Sequence, residues 1–324
     1  METGPFCFSH FSTGLLAVVD PVLSPASPQA EALSRLFVIT LFICAVIFVI
    51  VAALVLICIV KFRARPNDAE PEQIAGNERL EVSWTIGSVL ILVVLFALTV
   101  HAIHISDPVP HRKPDLTIIG HQWWWEARYP NGVVAANEIH IPIRSNLLVR
   151  VESADVIHDF WVPQLGRKMD MIPGHPNEVW IRADTAGEYL GTCAEYCGAE
   201  HAWMRIHVEA QTAPDYEKWL ARQRQPAPAP TTGLERDGLR IFRDRTCVNC
   251  HTIKGVDPDT SVGPDLTHFA ARTTIGTGVL ENNPGSLRLW LANPQIVKPG
   301  CHMPDFHLTK DEVNALAAYL ETTK

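Results

Sequence analysis

Residues 36–60 read LFVITLFICAVIFVIVAALVLICIV, a run of 25 residues without a charged side chain. As a helix this run is about 37 Å long, enough to cross a hydrocarbon core of roughly 30 Å. A second apolar run, residues 82–105, follows Glu81 and ends before the prolines of the sequence SDPVPHRKP. The two runs predict a two-helix transmembrane hairpin over residues 31–106, and therefore a multidomain membrane protein.

The charges around the two runs predict an orientation. Lys61, Arg63 and Arg65 begin the loop between the runs, whereas only Arg35 closely precedes the first run. Because loops rich in Lys and Arg stay in the cytoplasm, both chain ends are expected outside it. We therefore predict a multi-pass protein of the bacterial cytoplasmic (inner) membrane whose later domains lie on the periplasmic side.

The composition is consistent with a chain partly surrounded by lipid. Charged residues make up 19% of the sequence and hydrophobic residues 47%, against roughly 25% charged in soluble chains. The net charge of -8 and the lack of a Lys/Arg-rich run exclude nucleic acid as a partner. Residues 1–30 form an N-terminal extracytoplasmic segment, whose weak apolar patch leaves open whether a leader is removed.

After the hairpin the hydrophobic pattern changes from helical to alternating. Short segments rich in β-branched residues are separated by Pro, Gly and Asn, which is typical of antiparallel strands. This pattern predicts a β-sandwich, and we assign residues 107–222 to that domain. The predicted strands cover residues 116–120, 138–143, 147–153, 177–183 and 204–210.

A cluster of soft metal donors lies between two predicted strands, in residues 193–204, which read CAEYCGAEHAWM. Thiolate, imidazole and thioether select copper, and two cysteines four apart suggest two thiolates that bridge two coppers. His158, which we place at the end of a strand and before a proline-limited turn, is the candidate for the second histidine. A disulfide between Cys193 and Cys197, or tetrahedral zinc, are the alternatives, but neither uses Met204.

Behind a two-helix anchor, this motif makes residues 31–210 resemble cytochrome c oxidase subunit II. The family pattern C-x-E-x-C-G-x-x-H-x-x-M is matched in full. The resemblance implies a cupredoxin-like sandwich with a binuclear copper centre, CuA, and a magnesium ion bound by the Glu195 side chain at the interface with the catalytic subunit. The implied copper ligands are His158, Cys193, Glu195 through its backbone carbonyl, Cys197, His201 and Met204.

The resemblance also bears on residues outside the motif. In the sequence GHQWWWE, it makes Trp123 the residue at which electrons enter, while we expect Trp124 and Trp125 to pack the sandwich. Glu81 matches the acid at the cytoplasmic mouth of a proton channel, although an acid favoured by the helix dipole is an equal alternative. Asp159 departs from the family pattern, which often has a small hydroxyl residue there, and would add negative charge near the copper.

A third domain follows a Pro-rich linker. Residues 223–232 contain three prolines in alternation with alanine and are expected to be extended. Residues 233–324 then form a domain for which we predict only helices, at residues 234–245, 286–293 and 311–321. Thr309 and Glu312 have the spacing of a capping box before the last of these helices.

The sequence Cys247-Val-Asn-Cys250-His251 matches the attachment site of c-type haem. Both thiols can bind the macrocycle covalently while the imidazole binds the iron; a redox C-x-x-C or half of a zinc site are the alternatives. The sixth ligand is expected in a loop before the last helix. We choose Met303, with Cys301 and His302 as rivals, because its surroundings resemble those of small cytochromes c.

Together these features predict an electron-transfer subunit of a haem-copper terminal oxidase, with cofactors CuA, haem c and magnesium. As a subunit of cytochrome-c oxidase, a proton-pumping oxidoreductase, it would leave oxygen chemistry to a partner. Expected partners are catalytic subunit I and other oxidase subunits, cytochrome c or another external donor, and membrane lipid. The alternatives are the CuA and haem c subunit of a nitric oxide reductase, and a copper-handling protein without turnover.

Overall fold

The structure is a computed structural model, and it describes residues 22–63, 66, 70, 72–107, 112–256, 260 and 262–324. Most of residues 1–30, the segment with the candidate leader, lies outside the described residues. Arg65, one of the charges that predict the orientation, lies outside them as well. Within this range the chain forms a helical hairpin, a β-sandwich and a mainly helical domain, in the predicted order.

The hairpin consists of α1 (Pro28–Lys61) and α2 (Glu78–Ser106). Both helices extend beyond the apolar runs that predicted them, because capping residues lie outside those runs. Ser27 accepts a hydrogen bond from the backbone of α1, and Asn77 does the same for α2. Apolar side chains cover both helices and almost all are exposed, as expected of helices that cross a membrane.

The outer ends of the hairpin contact the β-sandwich. Ser27 Oγ donates to the carbonyl of Leu165 over 2.9 Å, just before α1 begins. After α2 ends, Arg167 forms a 2.8 Å ion pair with Asp107. The N-terminal end of α1 and the C-terminal end of α2 therefore lie on the same side as the sandwich, and Lys61, the last residue of α1, lies at the far end.

The sandwich has two sheets of five strands, ordered β3-β2-β1-β5-β8 and β4-β10-β9-β6-β7. Its core is formed by the inward-facing residues of both sheets, and it includes Cys193, Cys197 and Met204. The strands are β1 (Leu116–His121), β2 (Trp124–Arg128), β3 (Val134–Ala136), β4 (Glu138–Pro142), β5 (Leu147–Ser153), β6 (His158–Trp161), β7 (Met169–Met171), β8 (Asn177–Ile181), β9 (Gly187–Cys193) and β10 (Arg205–Gln211).

All five predicted strands are present, and five further strands were missed. One of the missed strands corrects the environment of His158, which begins β6 and does not end a strand. The prediction failed because residues 158–161 are too short and too uniformly buried to show an alternating pattern. A helix, α3 (Ala213–Gln223), closes the domain, and Trp219 on it stacks on His140 at 4.2 Å between ring centroids.

The linker continues from α3 along the next domain, where Ala227 donates its N–H to the carbonyl of Lys254. That domain contains the three predicted helices, a short fourth helix and a small hairpin that was not predicted. Both of its longest helices begin with a capping box, including the predicted pair Thr309 and Glu312. Its elements are α4 (Gly233–Asp244), β11 (Thr274–Ile275), β12 (Leu280–Glu281), α5 (Pro284–Ala292), α6 (Pro294–Val297) and α7 (Lys310–Leu320).

Helices α4 and α7 cross closely at the centre of this domain. A Cβ atom at Gly238 would lie 2.1 Å from the carbonyl oxygen of Ala315, so only glycine permits this approach. Phe242 and Tyr319 pack together beside the crossing. Phe242 of α4 and Leu316 and Leu320 of α7 also line a cavity. The haem-motif residues that face the same cavity are Cys247, Cys250 and His251, together with Cys301, His302 and Met303.

Candidate copper and haem sites

The predicted copper donors meet at one end of the sandwich, where His158 begins β6, Cys193 ends β9, and the other donors follow on the way to β10. His158 Nδ1 lies 3.9 Å from Cys193 Sγ, and Cys193 Sγ lies 3.8 Å from Cys197 Sγ. The sulfur of Cys197 lies 3.6 Å from His201 Nδ1 and 3.8 Å from Met204 Sδ. Two thiols therefore sit between two imidazoles, the arrangement required for two sulfurs to bridge two metal ions.

The same geometry argues against the alternative interpretations of the motif. A disulfide requires sulfurs about 2.05 Å apart, whereas the sulfurs of Cys193 and Cys197 are separated by 3.8 Å. Disulfides are absent among the cysteines that the structure describes. Met204 is fully buried with its sulfur beside Cys197, so the donor set includes a thioether, which suits copper better than zinc.

Glu195 contributes its backbone to the cluster. Its carbonyl oxygen lies 3.2 Å from Cys193 Sγ, while its side chain is exposed to solvent. The predicted role as a carbonyl ligand therefore has the required placement. The exposed carboxylate stays available for a contact outside the domain.

The two thiols are linked electrostatically. The hydrogen bond with Cys197, together with that to His158, lowers the pKa of Cys193 to about 3, and the same contact with Cys193 raises the pKa of Cys197. The pair therefore shares one proton at neutral pH. Copper, which binds thiolate, would displace that proton.

Asp155 holds the imidazole of His158 and was missed by the sequence analysis. Its Oδ1 lies 2.8 Å from His158 Nε2, and its Oδ2 accepts the backbone N–H of Gln122 at 2.6 Å. Burial is the largest single effect and opposes ionisation of Asp155, but the hydrogen bonds with His158 and with the backbone N–H groups of Val156 and Gln122 together outweigh it and lower the carboxyl pKa. Since a histidine that binds metal usually donates its other N–H to a carboxylate, an acid three residues before His158 was a usable signal.

Asp159 is almost fully buried beside the copper donors, with Lys168 Nζ 3.9 Å away. Burial and the neighbouring Asp170 raise the pKa of Asp159 to about 7. The extra negative charge that the sequence predicted here is therefore reduced in the folded protein.

The three consecutive tryptophans have different surroundings. Trp123 is half-buried, and its indole N–H donates to the carbonyl of Cys197 over 3.0 Å. Trp124 stacks on His121 with ring centroids 4.2 Å apart, and Trp125 is fully buried. The packing roles expected of Trp124 and Trp125 fit these contacts, whereas Trp123 bonds directly to the backbone of a copper ligand.

The haem-attachment motif begins on a single turn, Cys247–Asn249, and Cys250 and His251 follow that turn directly. His251 Nδ1 lies 2.8 Å from the carbonyl of Pro264, to which it donates, so Nε2 is left as the ring nitrogen for a metal. Burial lowers the pKa of His251 and keeps the imidazole neutral, the form that binds iron. The residues that line this cavity include Gln122, Trp123, Trp124 and Asn137 of the sandwich, and Cys247, Cys250, His251 and Met303.

The three rivals for the sixth haem ligand have different contacts. All three residues line the cavity, and Met303 also packs against the apolar core of its domain. Cys301 Sγ is held by the amide of Gln295 at 3.3 Å. The ring of His302 lies on Trp123, at 4.8 Å between centroids. Of the three, only Met303 packs on the apolar core of the domain, so the residues present fit a haem with a thioether ligand.

Glu81 lies in the first turn of α2, far along the chain from the copper and haem residues. This placement suits an acid favoured by the helix dipole. Its role at the mouth of a proton channel stays a prediction.

Comparisons with known proteins agree with this division of the chain. Residues 22–102 match the family description "Cytochrome C oxidase subunit II, transmembrane domain", and residues 132–211 match "Cytochrome C oxidase subunit II, periplasmic domain". Residues 235–324 match the family "Cytochrome c". The two cofactors implied by these families are CuA and haem c.

Similar proteins include full-length relatives. "Cytochrome c oxidase subunit 2" of Alkalihalophilus pseudofirmus is 34% identical, over 97% of this chain and 94% of that protein. The protein of the same name from Bacillus subtilis is 28% identical, over 93% and 91%. A solved structure, the periplasmic domain of subunit II of cytochrome oxidase of Bradyrhizobium japonicum, is 32% identical over 35% of this chain and 95% of that chain, with a TM-score of 0.32. The chain belongs to the cytochrome c oxidase subunit II family and carries a cytochrome c domain at its C-terminal end.

Proposed function

We propose that the chain passes electrons from an external donor, cytochrome c or another carrier, through haem c to CuA. From there they reach catalytic subunit I, where oxygen is reduced and protons are pumped. The observation that carries the proposal is that two sets of candidate redox ligands lie on one chain, with Trp123 between the copper loop and the haem cavity. Its indole bonds to the copper loop, and its ring lines the haem cavity.

Each ligand set is built to hold its group rigidly. When bound, haem c and CuA supply carriers that accept and release one electron at a time. His158, Cys193 and Cys197 are buried, so the sandwich excludes water from the copper donors. Asp155 fixes the ring of His158, and Pro264 fixes the ring of His251. Donors that barely move between oxidation states keep electron transfer fast, because little reorganisation is needed.

The ligand assignments follow from the donor chemistry. We assign His158, Cys193, Cys197, His201, Met204 and the Glu195 carbonyl to CuA. For haem c we assign Cys247 and Cys250 as the covalent attachments, with His251 and Met303 as the two axial ligands. Trp123 is assigned as the residue at which electrons reach the copper loop.

Two assignments concern the contact with other subunits. The exposed carboxylate of Glu195 is proposed to bind magnesium, for which carboxylate oxygen is a suitable ligand, at the interface with the catalytic subunit. Glu81 is proposed to lie at the mouth of a proton channel. Both are supported by family resemblance and by a placement at the edge of their domains.

The proposed location is the bacterial cytoplasmic membrane, with the copper and haem domains on the periplasmic side. Lys61 and Arg63 lie at the end of α1 remote from the sandwich, and such charges favour the cytoplasm. The sandwich then lies outside, where a donor on the same side can reach the haem domain.

The test is anaerobic reduction by ascorbate of the purified full chain with the subunits that accompany it in detergent. We expect a c-type optical band together with the electron paramagnetic resonance spectrum of a mixed-valence copper pair. Cys197→Ser should abolish the pair spectrum, because one bridging thiolate is lost, while Cys44→Ser in α1 should leave it unchanged.

Several outcomes would contradict the proposal. Zinc in place of copper, with no haem, would exclude an electron relay. Copper without a redox change during turnover would indicate copper handling. Turnover with nitric oxide but not oxygen as the acceptor would place the chain in a nitric oxide reductase.

A further inference from the structure

Two segments of the haem domain contact the sandwich beside Trp123. One is the docking hairpin, residues 274–281, and the other is the ligand loop, residues 298–303, which contains the candidate axial ligand Met303. In the docking hairpin, Thr277 Oγ1 donates to the carbonyl of Trp123 over 3.0 Å. Arg205 of the sandwich donates to the carbonyl of Gly278 over 3.1 Å. The docking hairpin therefore lies across the segment on which Trp123 is found.

Lys298 is the central residue of the ligand loop contact. Its side chain is only 3% exposed, which is unusual for a lysine. Its ammonium donates to the carbonyl of Trp123 over 3.2 Å and to that of Gly276 over 3.3 Å. These acceptors belong to different domains, so one buried cation holds the ligand loop, the docking hairpin and the sandwich together.

A buried charge needs compensation, and the copper loop supplies it. Burial lowers the pKa of Lys298 to about 8, an effect that the carboxyl of Glu200 partly opposes. Glu200 is also buried, at 1% exposure, directly before His201. A Cβ atom at Gly300 would lie 3.6 Å from Glu200 Oε1, so the ligand loop passes directly over this carboxyl. Lys298 and Glu200 therefore attract each other electrostatically across the joint between the two loops that carry cofactor ligands.

The ligand loop also brings an aromatic ring onto Trp123. The imidazole of His302 lies 4.8 Å from the Trp123 indole between centroids, tilted by 56°. On the other side, the Trp123 indole N–H bonds to the carbonyl of Cys197. Met303, His302, Trp123 and Cys197 therefore form a continuous series of covalent, ring and hydrogen-bond contacts between the two ligand sets.

We propose that Lys298 and His302 are positioning residues for electron transfer within this chain. Lys298 fixes the ligand loop on the backbone of Trp123, and His302 keeps its ring against the Trp123 indole. The inference rests on the proposed function. The step concerned moves one electron from the haem to the copper centre, and no bond forms or breaks.

The reason lies in the distance dependence of electron transfer, which slows steeply when a gap opens between carriers. A tethered domain that could swing away would spend most of its time at a greater separation. Contacts that keep His302 on Trp123 remove that loss, because the electron then crosses a short and constant gap. Lys298 bonds to the backbone of Trp123, so it preserves the contact without itself carrying the electron.

The experiment uses the full chain with copper and haem bound, in detergent. Flash-induced reduction of the haem, followed optically, gives the rate at which the electron reaches copper. In Lys298→Met and in His302→Ala, this rate should fall by about 10- to 100-fold. Lys298→Arg and His302→Phe should retain most of the rate, because a donor and a ring are kept. Lys310→Met, at an exposed lysine of the same domain, is the matched control.

A second measurement separates positioning from ligation and does not need the cofactors. Hydrogen exchange of the chain without copper or haem should quicken at residues 120–124 and 274–281 in Lys298→Met but not in Lys310→Met. The optical band of the reduced haem should be the same in every variant of the loaded chain. A changed band in His302→Phe would make His302 a haem ligand and overturn its role here.

Unchanged rates in Lys298→Met and His302→Ala, in a parent chain that does transfer electrons, would overturn this inference alone. A parent chain that takes up neither copper nor haem would overturn the proposed function, and the inference with it.

Discussion

Gly263 lies directly against the imidazole of His251: a Cβ atom at residue 263 would stand 2.7 Å from Cε1 and 3.0 Å from Nδ1 of the ring. We expect Gly263→Ala to push His251 out of line with the haem iron, because Nδ1 is also tied to the carbonyl of Pro264. A larger high-spin fraction in the optical spectrum would report this. Overpacking of this kind should also lower the stability of the domain by about 1–3 kcal/mol.

The control for this substitution is Gly233→Ala at the start of α4, where an added Cβ meets nothing within 4 Å. It should leave the haem spectrum unchanged. An unaltered spectrum in Gly263→Ala as well would show that His251 is not held against residue 263.

The copper site has a similar relationship between Gly120 and His158. A Cβ atom at Gly120 would lie 2.9 Å from Cδ2 of the imidazole, and the ring cannot retreat easily because Asp155 holds the adjacent atom Nε2. We expect Gly120→Ala to weaken copper binding by about 10- to 100-fold, as for other disturbances of ligand orientation. Competition with a copper chelator measures the affinity, and affinity equal to that of Gly233→Ala would contradict the expectation.

Local sequence patterns predicted the parts of each site whose residues are neighbours in the chain. Cys193, Cys197, His201 and Met204 lie within one loop, and Cys247, Cys250 and His251 within one turn, so their spacing alone reveals their chemistry. The helices were predicted for the same reason, since their caps and apolar runs are local. His158 was predicted from its local sequence and from the family resemblance, but the prediction that it ends a strand was wrong. It begins β6, whose four residues are too few and too buried to show an alternating pattern.

The joint between the domains could not be predicted from sequence. Lys298 contacts Trp123, 175 positions away, and a lone lysine in a loop gives no sign that it is buried. Glu138 similarly bonds to Thr273, 135 positions away. Such contacts depend on how two domains meet, and no pattern within either domain encodes that meeting.

Glu138 makes the polar contact between the sandwich and the start of the docking hairpin. Its Oε1 accepts hydrogen bonds from the N–H of Thr273 at 2.7 Å, from its hydroxyl at 2.7 Å, and from the N–H of Thr274 at 3.1 Å. Glu138→Ala should weaken docking by about 1–3 kcal/mol for each donor that stays unsatisfied. Faster hydrogen exchange at residues 273–281 would measure the loss.

Glu138→Gln keeps an oxygen acceptor and should have a smaller effect than Glu138→Ala. Glu217→Ala, at an exposed carboxylate on α3, should have none. Equal exchange in all three variants would show that Glu138 does not hold the domains together.

His140 should make the sandwich less stable in mild acid. Its ring stacks on Trp219 and bonds through Nδ1 to Gln211, and burial lowers its pKa from 6.5 to about 4. Between these two pH values the unfolded chain binds a proton at His140 and the folded chain does not. Stability therefore falls as pH drops from 6.5 to 4, by about 3 kcal/mol in total.

Denaturant unfolding followed through the copper absorption band, which reports the sandwich and not the haem domain, measures this slope. His140→Phe keeps a ring for Trp219 but removes the titrating group, so its stability should vary less over the same pH interval. The loss of the bond to Gln211 lowers its stability at every pH, which shifts the curve without changing its slope. If the free energy of unfolding of His140→Phe falls as steeply as that of the parent between pH 6.5 and 4, groups other than His140 cause the acid sensitivity. The variant lacks only the contribution of His140.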